Sequence, residues 1–366
     1  MIQPVKITHA PFGSWIAPEY SSVDCFSRDN FYLLLIAVDH FQLYTRDGQF
    51  LQDLPIGASE RPRWSQTDSG VLTYLRANLL VEYNVALGIR DTHPFPESVS
   101  VDDAGEADTQ HGKRVLCGVD KHGAKKVFVY DILLRRKGLL VLETLDIFNN
   151  LLLTPSGSVL IDGMYLYQER DGQVVMRQVF GADGHKCVTR YKGRDVLLIT
   201  NSNENPVTQP DFPNGIVMVD LETGEQTGLL SLPWSLAVHI NAPQDAAFCI
   251  VSTFDPLNPD VRNLFHNAIL RVALDGSGAE VLCYHSSDSS TYTGNPKATV
   301  SREGSRFVYA SNGGEADGPV DTWLGVLPVG IPGPVLPKPL RKSFWGTLWG
   351  MIKRLFGAAA QKEEGL

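Results

Sequence analysis

Hydrophobic positions in this chain come in short, nearly unbroken runs, each introduced by a small polar residue and a tight turn. Ser27-Arg28-Asp29-Asn30 precedes Phe31-Tyr32-Leu33-Leu34-Leu35, and Ser65-Gln66-Thr67-Asp68-Ser69-Gly70 precedes Val71-Leu72-Thr73-Tyr74. The unit returns around Asp108, Thr154, Thr189, Asn241 and Ser301, at intervals between 35 and 60 residues. Ser, Thr and Asn at such positions bond their own backbone, and Gly or Asp supplies a left-handed residue, so each unit predicts a β-hairpin. Runs of 4–8 apolar residues without alternation suit strands buried on both faces. Second strands follow and end in their own turns, as at Asp47-Gly48, Thr223-Gly224 and Asp275-Gly276.

Seven such units at roughly 40–50 residues each predict seven four-stranded blades closed into one ring. A pair of two-sheet β-sandwiches is the alternative, and it accounts less well for seven similar units. Two intervals are lengthened by loop-rich inserts, Asn201 to Pro213 and Asp255 to Asn267. The segment Gln3 to His9 is expected to complete the last blade beside Asp321 to Leu327. The fold class is therefore all-β: a seven-bladed β-propeller over residues 1–328, with a C-terminal amphipathic α-helix.

Periodicity changes after Val326. Prolines at 328, 332, 334, 337 and 339 predict an extended spacer over residues 329–340. In the tail, 341–366, apolar Phe344, Trp345, Leu348, Trp349, Met351, Ile352, Leu355 and Phe356 fall at helical spacing. Lys353 and Arg354 lie on the opposite face. Fourteen residues at ~1.5 Å give a helix of ~21 Å, too short to span a bilayer. The tail carries net +3 within a chain of net charge −9. A basic helix bearing two Trp and two Phe fits an anionic membrane surface; a groove on a protein partner and the propeller itself are its rivals.

Composition narrows the function. Hydrophobic residues at 43% and charged residues at 20% provide a large core and exclude a disordered chain. An acidic chain with a pI near 5.5 lacks the cationic face that general nucleic-acid binding needs. The five cysteines show no C-x₂-C spacing and sit mostly in apolar runs, which predicts buried free thiols in a reducing compartment. The first twenty residues show no basic region followed by an apolar one, so a cytoplasmic location, peripheral to a membrane through the tail, is expected.

The repeat in its best copies, Trp64 to Gly70 and Val300 to Tyr309, resembles the S-x-D-G repeat of propellers similar to the translocation protein TolB. The stretch from Asn295-Pro296 to Ala310-Ser311-Asn312 resembles the closing blade of oligogalacturonate lyases, a related propeller family. Both resemblances concern punctuation of the fold, which hosts unrelated activities.

Residues ahead of the inner strands are expected to line one end of the channel: Asp24, Arg61, Arg63, Glu106, His185, His239 and Lys297. Such a set predicts a funnel for an anionic small molecule or carbohydrate, or else a structural ring of ion pairs. The lyase resemblance implies proton abstraction beside a uronate carboxylate, with His239, Arg61 and Arg63 as candidates and a metal held by several His. The clustered His of that pattern are missing, since Ser289 to Pro296 stands in their place with only His285 and His266 nearby. No metal or cofactor is therefore expected. G-x-S-x-G, P-loop and H-E-x-x-H motifs are absent from the sequence. The leading expectation is a non-enzymatic binding or scaffold propeller tethered to a membrane surface or larger assembly by its tail. The alternative is a carbohydrate-active lyase or hydrolase working on an anionic, uronate-type substrate in the central funnel.

Overall fold

The computed structural model describes residues 1–328, apart from residues 89, 96–99, 109–111, 145–148, 182–183, 202–213, 234–235, 246 and 256–264. For 90, 100–108, 139–141 and 144 it describes the backbone alone. Most of the two long inserts, residues 202–213 and 256–264, and the expected tail helix fall outside the described residues. Within them, no helix is long and apolar enough to cross a membrane.

The described residues form seven four-stranded antiparallel sheets. Blade 1 comprises Ile16–Ala17, Tyr32–Ala37, His40–Thr45 and Phe50–Gly57. Blade 2 runs from Arg63–Trp64 to Arg90–Pro94, and blade 3 from Ser100–Asp108 to Arg136–Thr144. Blade 4 runs from Leu151–Leu153 to Gln173–Gln178, and blade 5 from Lys186–Tyr191 to Gln226–Ser231. Blade 6 runs from Ala237–Asn241 to Ala279–Tyr284. Blade 7 takes Thr299–Val300, Arg306–Ser311 and Asp321–Val326 from one end of the chain and Val5–Lys6 from the other.

The recurring polar residue closes the turn between the first and second strands. Ser27 Oγ accepts the Tyr32 N–H at 3.0 Å, and Ser301 Oγ accepts the N–H groups of Ser305 and Arg306 at 3.1 and 3.0 Å. Gly304 supplies the left-handed residue, with φ of 71°. Buried hydroxyl acceptors thus replace ladder bonds where each strand reverses.

Alternation explains the unbroken apolar runs. In blade 1, Leu34 and Ile36 join a core shared with Trp64, Leu72 and Tyr74 of blade 2. Leu33, Leu35 and Ala37 point the other way, into a core shared with Val308 and Leu324 of blade 7. Blade 5 repeats this, with Val196 and Leu198 packed toward blade 6 and Leu197 and Ile199 toward blade 4. Every adjacent pair of blades is joined by such a core. One ring, rather than two sandwiches, follows from that connectivity. All five cysteines are buried and free.

The ring closes as the sequence predicts. Val5 pairs with Leu324 and Lys6 with Trp323. Asp321, buried, receives three donors from the N-terminal segment: Lys6 Nζ at 3.1 Å, Thr8 Oγ1 at 2.9 Å and the Ala10 N–H at 2.8 Å. Thr8 Oγ1 in turn accepts the Thr322 N–H at 2.8 Å.

Two predictions follow from this packing. Asp321→Ala leaves the buried Thr8 hydroxyl and Ala10 N–H without their acceptor, so urea unfolding should show a loss of roughly 2–4 kcal/mol. Asp47→Ala, which removes the exposed partner of Arg306, should cost less than about 1 kcal/mol. Equal effects would dissociate the seam from stability.

His285 is buried, and burial pulls its pKa down to about 4, with the charge of His266 adding to the fall and the Thr253 carbonyl opposing it. The unfolded chain therefore takes up the proton first as pH falls. The contribution is complete above pH ~6.5 and is lost between there and pH 4. His285→Gln keeps a donor for the Thr253 carbonyl, 2.8 Å from Nε2. Its unfolding free energy should converge on the wild-type value by about 3 kcal/mol between pH 7 and pH 4. Parallel curves would exclude His285 as the titrating group.

Candidate functional site

Blade 1 has an irregular first strand. Ile16–Ala17 pairs with the end of Tyr32–Ala37, and pairing resumes only at Phe26 opposite Leu33. Pro18 opens the interruption, because proline cannot donate to a ladder. Tyr20 and Val23 then close a turn, Val23 N–H to Tyr20 C=O at 3.2 Å. The segment crosses the channel. Tyr20 Oη lies 2.6 Å from His185 Nδ1, just ahead of the blade 5 inner strand, and its ring meets His239 of blade 6 at 5.4 Å. Asn241 Nδ2, also of blade 6, donates to the Ser21 carbonyl at 2.6 Å, and Arg63 of blade 2 holds Glu19 at 2.8 Å. Residues from one blade are thereby anchored on three others, and they plug the channel.

Above the plug stand two imidazoles, a phenol and an amine. The His185 and His239 rings lie edge to face, 4.5 Å apart, and Phe254 stacks on His239 at 5.3 Å. His239 Nδ1 has only a long 3.5 Å approach to Ser21 Oγ. Its Nε2 is buried with no hydrogen-bond partner among the described residues. Burial, then the charges of His185 and Lys297, hold His239 well below the usual histidine range, so it is neutral. Lys297 is buried, with Nζ 3.8 Å from the Tyr292 ring centroid. Burial pulls its pKa down to about 8, against the pull of Glu19. Its φ of 41° is left-handed, a strained setting for lysine.

Below the plug is a cavity of about 60 Å³ lined by Ser22, Asp24, Gln66, Thr189, Asn241 and Arg302. The Asp24 carboxyl is pushed up by burial, with Arg302 and Arg63 opposing. Arg302 stands 3.9 Å from Asp24. Ser22 Oγ and Gln66 Oε1 are buried without a partner among the described residues.

The seven funnel candidates thus divide. His185, His239 and Lys297 do come together. Arg63 lies beside them but is tied to Glu19, so its charge is already matched. Arg61 is exposed, at the end of the 3₁₀ turn Ala58–Glu60, with a left-handed φ of 48°. Asp24 belongs to the lower cavity, because it follows the plug instead of preceding an inner strand. Glu106 sits within Ser100–Asp108, where the backbone alone is described. Nor do Arg63 and His239 precede inner strands; they lie within them. Sequence reasoning missed Glu19, Tyr20 and Tyr292. Pro18 interrupting an apolar start was the signal for the first two.

One group among the described residues has metal-ligand geometry: Glu82, Asp91 and His93 offer atoms within 4.8 Å of one another on blade 2. His93 already pairs with Glu82, and Asp91 with Arg135 of blade 3. That arrangement serves as an inter-blade ion-pair network.

No family model and no curated protein matches the sequence. Solved structures do resemble the fold. An oligogalacturonate lyase from Vibrio parahaemolyticus aligns with a TM-score of 0.65 at 15% identity, over 90% of this chain and 94% of that one. The Pan2 WD40 domain of Neurospora crassa aligns with a TM-score of 0.54 at 13% identity, over 88% and 98%. A chain of the mitotic checkpoint complex gives 0.52 at 11%, over 89% and 95%. Identities this low establish the fold alone: the chain is a seven-bladed propeller similar to both lyase and WD40 propellers.

Proposed function

We propose that the protein is a binding propeller that serves as a scaffold and takes a small carboxylate-bearing ligand, of sugar-acid type, at the plugged mouth of its channel. One observation carries this reading. Among the described residues, Lys297 has no carboxylate within ion-pair distance, and it lies beside a neutral imidazole whose Nε2 has no partner. A buried cation without a counter-charge is costly, and a ligand anion would relieve it. His239 and the Tyr20–His185 pair would supply hydrogen bonds to the remaining oxygens.

A second reading has its own support. A neutral imidazole beside a cation is also what proton abstraction next to a carboxylate requires, with His239 as base and Lys297 stabilising the enolate. Likeness to a lyase propeller agrees with it at the level of the fold.

The tail is part of the proposal on sequence grounds. Residues 341–366 would tether the ring to an anionic cytoplasmic membrane surface or to a protein partner, beyond the prolines of 329–340. Neighbours in protein complexes make protein partners compatible with the fold.

Galacturonate and digalacturonate binding by calorimetry tests the first claim. Lys297→Met and His239→Gln should each weaken binding about tenfold or more, the loss of one charge-assisted bond, whereas Arg61→Ala should change it less than about twofold. Equal affinity in wild type and Lys297→Met refutes the site. Ultraviolet absorbance of an unsaturated product from oligogalacturonate would favour the lyase reading; tight binding without it favours the scaffold. Removal of 341–366 should leave the melting temperature nearly unchanged and abolish sedimentation with anionic vesicles, as should Trp345→Glu. A fall of many degrees on truncation would place the tail on the propeller.

A further inference from the structure

Lys297 has a second property that ion binding does not use. The residue is largely buried, and among the described residues no carboxylate lies within ion-pair distance of its amine; such an amine, near proton-transfer groups, is equipped to act as a nucleophile. Its left-handed backbone and the Tyr292 ring fix where the amine stands. His239, near enough to feel the charge of Lys297, has a buried Nε2 without a partner among the described residues, and Tyr20 and His185 are joined by a hydrogen bond next to it.

We propose that Lys297 captures small acidic aldehydes or ketones, such as 2-oxo acids, as a covalent imine at the plugged mouth. This rests on the reading that the mouth takes a carboxylate-bearing ligand, and it narrows that ligand to one with a carbonyl group. The neutral amine adds its lone pair to the carbonyl carbon. The π pair passes to oxygen, which takes up a proton as the nitrogen releases one of its two, giving a neutral carbinolamine. Loss of water then forms the C=N bond, while the proton on nitrogen passes to a base. No electrons are exchanged with an outside reagent. His239 Nε2 is placed to receive and return the proton, and the Tyr20 hydroxyl to assist the departing oxygen. Burial brings Lys297 to about 8, so a sizeable fraction of the amine is neutral near pH 7.5. Glu19 and the Tyr292 face pull the other way, but Glu19 is engaged by Arg63.

Lys192 is an internal control. It too has a left-handed backbone, with φ of 52°, and its Nζ lies over a ring, 4.9 Å from Tyr191. It is exposed and lies outside the plugged mouth.

The full chain is incubated with glyoxylate and cyanoborohydride at pH 7.5, and adducts are located by peptide mass mapping. Lys297 should be labelled on the order of tenfold faster than the exposed Lys192, as its burial and its neighbours require. Excess glycolate, which has the carboxylate without the carbonyl, should slow labelling at Lys297 and leave Lys192 unaffected. His239→Gln, checked for an unchanged melting temperature, should slow Lys297 labelling at least several-fold. Labelling at Lys297 no faster than at Lys192 overturns the imine. If glycolate still binds in calorimetry in that case, the carboxylate site stands and only the covalent step fails. If glycolate and galacturonate also fail to bind, the reading of the mouth fails with it.

Discussion

The fold depends on one geometric constraint: each blade's second strand contributes its two faces to two different cores. Leu33, Leu35 and Ala37 belong to one interface, and Leu34 and Ile36 to the next. A single blade would therefore expose both of its apolar faces, and stability accrues only as neighbours are added. The arrangement also makes the last interface different from the others. Its two partners lie at opposite ends of the chain, so closure must be specified by polar groups as well as by packing. Asp321, with donors from Lys6, Thr8 and Ala10, provides that specification. Register at this seam is fixed by direction-dependent bonds, which hydrophobic contacts alone do not supply.

The same ring geometry gives the plug its importance. An inner strand in a closed ring faces strands that are far away in sequence, and a short interruption can reach across the axis. Pro18 to Val23 does this and turns an open channel into an upper mouth and a lower cavity. Each half has a different chemistry. The upper half holds His185, a neutral His239 and an amine with no carboxylate in ion-pair distance among the described residues. The lower half holds Asp24 and Arg302 with unmatched hydroxyl and amide oxygens.

How far sequence reasoning reached follows from which interactions are local. Ser27, Ser65, Thr154 and Ser301 close turns within a few residues, so their spacing reported seven blades directly. The closing strand was legible because blade 7 lacked a fourth strand of its own. His185, His239 and Lys297 were found because they sit at or near the starts of inner strands. Tyr20 was not, because its partners are 165 and more residues away and depend on the curvature of the ring. The pairing of Arg63 with Glu19 was not legible for the related reason that Glu19 lies on the plug. The tail helix rests on apolar periodicity alone, outside the described residues.

Burial at the mouth runs against stability. His239 and Lys297 both lose solvation there, and the nearby charges of His185 and Lys297 further disfavour the charged form of His239. A neutral side chain at 297 would remove the desolvation penalty, and a glycine would also relieve the left-handed backbone. The adjacent cores, with Ile250, Ile269, Phe307 and Tyr309 on one side and Val238, Ile240 and Val251 on the other, are well filled and do not depend on it. A residue that costs stability in an otherwise consistent structure is the pattern expected where selection has acted on chemistry. The segment around Tyr20 adds to that burial: the Tyr20 ring stands 5.4 Å from the His239 ring, and His239 Nε2 is left without a hydrogen-bond partner among the described residues.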